Sequence, residues 1–334
     1  MSSPIVRRSL EADGVRISYL TVDVVSPSDT LLLIHGAGVS ARTWVQQLRG
    51  LADVVRPIAI DLPGRRESDA ASDPTLATYA ELIYEALRRL HSGPAFVAGH
   101  SLGGAVAQVL AERHPEVVKG LVLISTCAKM PRVDATTRAR AAVPWPFRRT
   151  VLQWAARRTL LAPSAPADAV RLTLDEIREC RISTIQSDVA IGRAIDVEDL
   201  ARRLRVPTLI LCGGRDELTP PPLSQQLAAL IAGSRLQIVS SAGHMLPLEA
   251  PEIVNRAIAD FVRALAPEAA APAVSSAPSR RYDLRFVVQR LVSRLWRSAP
   301  GTLGSSPRRR QGRWAPAWPP CPPCSARSAA PAPR

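Results

Sequence analysis

Gly99-His100-Ser101-Leu102-Gly103-Gly104 fits the pattern G-x-S-x-G and lies between two segments of opposite character. Ahead of it, Ala95-Phe96-Val97-Ala98 is a short apolar run behind the breaker pair Gly93-Pro94, which reads as a buried strand. After it, Ala105 to Arg113 is rich in helix formers. A strand must therefore turn directly into a helix at Ser101. So sharp a turn strains the serine backbone and leaves no room for a side chain at Gly99 or Gly103. It also holds the hydroxyl clear of the chain and aims the Leu102 N–H where an oxyanion would form. The five-residue pattern alone also occurs in inert Gly-rich turns; the strand-turn-helix setting gives it weight.

Outward from this stretch, strands and helices alternate. Residues 9–25 read as a strand pair around Asp13-Gly14. Leu31-Leu32-Leu33-Ile34 is a continuous apolar run ending in His35-Gly36-Ala37-Gly38, with helical spacing from Trp44 to Leu51 behind it. Ile58-Ala59-Ile60 leads into Asp61-Leu62-Pro63-Gly64, and residues 75–90 form an amphipathic helix. Further buried runs are Leu121–Ile124, Pro207–Cys212 and Arg235–Val239, with helices at about 221–232 and 251–265. Continuous rather than alternating apolar runs mean strands covered on both faces. The expected fold class is α/β, a mostly parallel central sheet with helices on both faces. Such sheets place ligands at the carboxyl ends of their strands, just where His35-Gly36, Asp61, Ser101 and Asp216 fall.

The alternation breaks over 127–200, an Arg- and Ala-rich segment punctuated by Pro131, Pro144, Pro146, Pro163 and Pro166. It reads as helices inserted between two strands, a lid. From residue 267 the character changes again: this final fifth holds 12 of the 30 prolines and is expected to be mostly disordered. Within it, 282–296 carries Leu284, Val287, Val288, Leu291, Val292 and Leu295 at helical spacing with arginines between. That is a short basic amphipathic helix, suited either to weak contact with a membrane surface or to packing on the body. The expected parts are thus 1–126 (first half of the core), 127–200 (cap), 201–266 (second half) and 267–334 (tail).

The net charge of +14 is mostly a property of the tail. Residues 267–334 hold 12 Arg and 2 acidic residues, leaving the other 266 residues at a net +4. A nucleic-acid partner is not implied. Five scattered cysteines give no disulfide framework, and the N-terminus lacks the apolar run of a secretory signal, so the expected location is cytoplasmic. Cys321-Pro322-Pro323-Cys324 fits C-x-x-C without the strand-to-helix setting of a redox motif. No metal-ligand spacing, phosphate loop or dinucleotide fingerprint appears, so neither metal nor cofactor is expected. Oligomeric state is not readable.

A serine hydroxyl needs a base within hydrogen-bond reach, and the base needs an orienting acid. Of five histidines, His35 and His100 belong to turns around the elbow and His91 and His114 lie at helix ends. His244 alone follows the last expected strand in a Gly-His loop, and Asp216 follows a strand through Gly213-Gly214. In isolation Asp216 also reads as a helix N-cap and His244 as an ordinary loop residue. Glu249 reads as structural, in the first turn of the last helical region.

These motifs together resemble the α/β-hydrolases with a cap, in the branch that includes carboxylesterases, carbon–carbon bond hydrolases and cofactor-free haloperoxidases. The resemblance covers about residues 15–265 and rests on His35–Gly38, Asp61–Gly64, Gly99–Gly104, Gly213–Asp216 and Gly243-His244. It implies Ser101 as nucleophile, His244 as general base and Asp216 as its orienter. The backbone N–H groups of Ala37 and Leu102 would form the oxyanion hole, with Gly36, Gly99 and Gly103 shaping the loop and elbow. A small ester-type substrate follows from the same likeness. Carbon–carbon or perhydrolase chemistry on the same groups, or a binding protein that keeps the shell, are the alternatives. An aspartate at the elbow would have signalled a dehalogenase or epoxide hydrolase. One departure is that similar hydrolases show Gly-His-Gly where this chain has Gly64-Arg65-Arg66. Two arginines there suit either a solvated surface, the favoured reading, or an anionic substrate.

Overall fold

A computed structural model describes residues 4–23, 29–91, 93–131 and 148–265. Eight strands form one sheet in the order β1-β2-β4-β3-β5-β6-β7-β8. They are β1 (Ile5–Ala12), β2 (Val15–Val22), β3 (Thr30–Ile34), β4 (Arg56–Ile60), β5 (Ala95–His100), β6 (Val118–Ile124), β7 (Thr208–Gly213) and β8 (Arg235–Val239). Only β2 runs against the rest; β4, β3, β5, β6, β7 and β8 are parallel neighbours. Asp13 and Gly14 both have positive φ, the conformation a two-residue hairpin demands. β1 begins at Ile5, before the expected start at residue 9. Its half-exposed edge position tolerates Arg7 and Arg8, which hide the strand pattern in the sequence.

The apolar runs are continuous because successive side chains go to different cores. Leu32 and Ile34 of β3, Val97 of β5 and Leu121 and Leu123 of β6 pack with helices α2 (Leu76–Leu90) and α3 (Leu102–Arg113). Leu31 and Leu33, Phe96 and Ala98, and Val122 and Ile124 join the opposite core. That core includes Leu48 of α1 (Val45–Gly50), with Trp44 just ahead of it, and Ile258 and Phe261 of the helix Pro251–Leu265. A period-two strand buried on both faces has no polar position to spare. The parallel sheet and its two helical layers are those expected from the sequence.

Between β6 and β7 the described chain is helical: α4 (Arg148–Leu160), α5 (Ala167–Glu179), α6 (Ile182–Arg193) and α7 (Glu198–Arg203). The two ends of the insertion are clamped together. Val197 N–H donates to Ala128 O (2.7 Å), Met130 N–H donates to Ile195 O (3.0 Å), and Lys129 pairs with Asp196 at 2.6 Å. Beyond β7 come α8 (Pro221–Leu230), the single turn α9 (Leu246–Glu249) and α10 (Pro251–Leu265). No helix among the described residues is long and apolar enough to cross a membrane. The expected helix at 282–296 and Cys321–Cys324 lie outside the described residues.

Candidate active site

Ser101 stands between the end of β5 and the first residue of α3, with φ 53° and ψ −120°. A non-glycine residue in that region is strained, and the surroundings fix it there. Its N–H donates to Ile124 O (2.9 Å), and its carbonyl accepts from the Thr126 hydroxyl (2.8 Å) and the Gly104 N–H (2.9 Å). A Cβ at Gly99 would collide with the Gly103 carbonyl, and one at Gly103 with the Ile34 carbonyl. The elbow therefore accepts glycine alone at both sites, as the sequence implied.

Asp216 and His244 meet. The His244 Nδ1–H donates to Asp216 Oδ2 at 2.9 Å, and both side chains are buried. The loops that bring them there are welded together. Arg215 N–H donates to Ala242 O (2.9 Å), and a Cβ at Gly213 would run into the Gly243 carbonyl. Asp216 is also gripped from its own side. Oδ1 accepts the N–H groups of Leu218 (2.9 Å) and Thr219 (2.8 Å), and Oδ2 accepts the Thr219 hydroxyl (2.8 Å). Burial opposes its charge, but His244 and the Thr219 bonds outweigh that and hold its carboxyl below the usual range. Asp216 thus orders a turn and does not cap α8 as its isolated reading had it, since the N-cap there is Pro220. With Nδ1 so engaged, Nε2 is the nitrogen left to serve a hydroxyl.

His35 and His100 shape the site. His35 accepts the Leu62 N–H at Nε2 (3.0 Å), so its proton sits on Nδ1 and is donated to Gly36 O (2.8 Å). His100 donates from Nε2 to the His244 carbonyl (2.9 Å). Burial, the largest cause, pushes the pKa of His35 down to about 4 and of His100 to about 3. His91 and His114 end α2 and α3.

Of the two candidate oxyanion donors, Leu102 is the first residue of α3, where the N–H has no carbonyl ahead of it in the helix. Ala37 lies past β3 and shares an apolar cluster with Leu102, Cys127, Ile195 and Leu223. Gly36 packs hard against the elbow; a Cβ there would lie 3.0 Å from His100 Nδ1 and 3.1 Å from Ser101 Cβ. Asp61 is a buried tie, accepting from Ala41 N–H (2.8 Å) and the Ser18 hydroxyl (2.7 Å) and pairing with Arg7.

Three residues have roles their sequence positions do not reveal. Glu249 does not merely sit in a helical turn. Its carboxylate accepts from Gly243 N–H (3.0 Å) and Met245 N–H (3.1 Å), on both sides of His244, and from Ala162 N–H (2.9 Å) in the insertion. Arg65 is not solvated. It is 3% exposed and pairs with Asp188 of α6. Arg66 pairs with Glu176 and Glu179 of α5. Both arginines are spent on holding the insertion to the core. A cleft of about 290 Å³ opens beside them, lined by Val39, Ser40, Gly64, Arg66, Glu176 and Cys180 among others. Ser101, Asp216 and His244 do not line it.

Known proteins resemble the fold. Residues 31–257 match the alpha/beta hydrolase family. A pimeloyl-[acyl-carrier protein] methyl ester esterase of Aromatoleum aromaticum is 30% identical over 253 residues, covering 70% of this chain and 98% of the relative. The (E)-2-((N-methylformamido)methylene)succinate hydrolase of Acinetobacter baylyi is 24% identical over 240 residues, covering 69% of this chain and 89% of the relative. The solved structure of a thermophilic esterase superposes with a TM-score of 0.66 at 28% identity, over 79% of this chain and 99% of that one. With the family model matched over residues 31–257 and the eight-stranded sheet in this order, the chain belongs to the alpha/beta hydrolase family.

Proposed function

We propose that this hydrolase cleaves a carboxylic ester through an acyl-enzyme on Ser101. The observation that carries the reading is the 2.9 Å contact of His244 Nδ1–H with Asp216 Oδ2, at the same sheet edge as the strained Ser101. In this reading His244 Nε2 takes the Ser101 proton as Oγ attacks the ester carbonyl. Asp216 holds the tautomer and stabilises the imidazolium. The oxygen of the tetrahedral adduct is received by the Ala37 and Leu102 N–H groups, a contribution on the order of 10²–10³ in rate per donor. His244 then returns its proton to the departing alcohol. Water, activated by the same imidazole, releases the acid and restores the serine. The helical insertion closes over this edge as a lid.

The esterases among the relatives support ester chemistry. Labelling with a fluorophosphonate probe and hydrolysis of short-chain p-nitrophenyl esters, by wild type and Ser101→Ala, test it. Wild type should label and turn over, and the variant should do neither. Unlabelled wild type, or a variant as active as wild type, overturns the reading. A panel that includes dienol-type diketones separates ester from carbon–carbon cleavage.

A further inference from the structure

Helix α6 of the insertion reaches the loop after β3 from 150 residues away. Asp188, fully buried, accepts the Gly38 N–H at Oδ2, 2.8 Å. The same oxygen meets Arg65 from the loop after β4, itself buried. Asp188 Oδ1 has no partner among the described residues, so the grip rests on Oδ2 alone. Gly38 has φ +70°, and a Cβ there would lie 3.6 Å from Ile185, one turn back on α6. A Cβ on Gly64 would lie 3.4 Å from Thr184. Ile191, one turn on, packs on the cluster that holds Ala37 and Leu102. One helix thus reaches both loops and packs on the cluster to which both candidate oxyanion donors belong.

We propose that Asp188 is a positioning residue for the oxyanion hole: by taking the Gly38 N–H it sets the loop so that the adjoining Ala37 N–H faces the reacting carbonyl. The inference rests on the serine-esterase reading above. The Asp188 carboxylate is not bare: buried Arg65 cancels its charge beside the loop. A hole completed by a residue of the insertion is assembled only when the insertion is seated, so substrate access and transition-state binding are linked.

The single variant Asp188→Ala leaves Arg65 as an unpaired buried cation and is prone to misfold. The test therefore uses the double variant Asp188→Leu/Arg65→Leu, which removes both charges, and the conservative pair Asp188→Asn/Arg65→Leu, which keeps an acceptor for Gly38 without leaving a buried cation unpaired. Both are compared with wild type in kcat, KM and affinity for an alkyl boronic acid, which forms a tetrahedral adduct on the serine. Thermal unfolding verifies the fold. The double variant should lose about tenfold to a hundredfold in kcat and in boronate affinity, with KM within about threefold, the size of effect a small misplacement produces. The conservative pair should recover most of both. A folded double variant with wild-type kcat and boronate affinity overturns the proposal. So does a folded conservative pair as impaired as the double variant. Wild type that neither labels with fluorophosphonate nor binds boronate removes the serine reading itself, and this inference with it.

Discussion

His100, the residue just before the strained serine, donates its Nε2–H to the main-chain carbonyl of His244, 2.9 Å away. The two imidazoles lie with centroids 5.0 Å apart, and the Trp44 ring stands perpendicular to His100, centroids 6.4 Å apart. The backbone of the candidate base is thereby tied to the side chain of the residue next to the candidate nucleophile. His100→Ala should leave a folded protein whose kcat on p-nitrophenyl esters falls about tenfold or more, since small errors in placement at a reacting centre are amplified in rate. Steady-state kinetics alongside thermal unfolding checks it. Unchanged kcat would show that His244 needs no such tether.

Asp216→Asn keeps shape but reverses the hydrogen bond that fixes the His244 tautomer. On the precedent of Ser-His-Asp enzymes, kcat should fall by about 10⁴. Thr219→Val removes only one of the bonds to the carboxylate, and its effect should be far smaller, within about tenfold, for a bond of about 1 kcal/mol. The ranking of the two variants, measured on one substrate, is the check.

Gly213→Ala places a methyl group against the Gly243 carbonyl, which is main chain and cannot swing aside. The loops carrying Asp216 and His244 must part. Activity should be lost together with stability, by about 1–3 kcal/mol as for other overpacked sites. Urea denaturation and ester hydrolysis measure both. Gly14→Ala is the contrast: its φ is +75° but the space is open, so stability alone should drop slightly.

Acid should unfold this protein early. His35 and His100 stay neutral in the fold down to about pH 4 and 3, whereas the unfolded chain protonates them near 6.5. The unfolded state therefore binds more protons below pH 6.5, and stability falls as pH drops from there toward 4. Each histidine contributes a slope of about 1.4 kcal/mol per pH unit. Asp216, held below its ordinary value near 3.8, adds a further loss at lower pH, because its stabilisation is present only above the unfolded value. Urea midpoints from pH 7 to 4.5 read the slope, and His100→Gln should reduce it by about half.

Much of this was legible in one dimension. A strand buried on both faces must be apolar at every position, and a strand that turns at once into a helix must have glycines around the turned residue. Both demands are local, so Leu31–Ile34, Ala95–Ala98 and Gly99–Gly103 announced the sheet and the elbow from composition and spacing alone. Asp216 and His244 were legible for the same reason, as polar residues placed just past such strands. The tie of Thr219 to Asp216 was within reach too, a hydroxyl three residues on from an aspartate.

Burial of charge was not legible. Arg65 and Arg66 have the composition of a wet surface, and Asp188 and Glu176 that of any helix exterior, until α5 and α6 fold across the loops after β3 and β4. Whether a guanidinium is solvated or paired depends on a carboxylate more than a hundred residues away, and no periodicity records that distance. Glu249 is similar: a helical glutamate by sequence, it becomes the acceptor that brackets His244 only when the last loop curls back on it. Local sterics and periodic burial wrote the scaffold into the sequence; the desolvation and pairing of distant charges, which fasten the insertion to that scaffold, exist only in three dimensions.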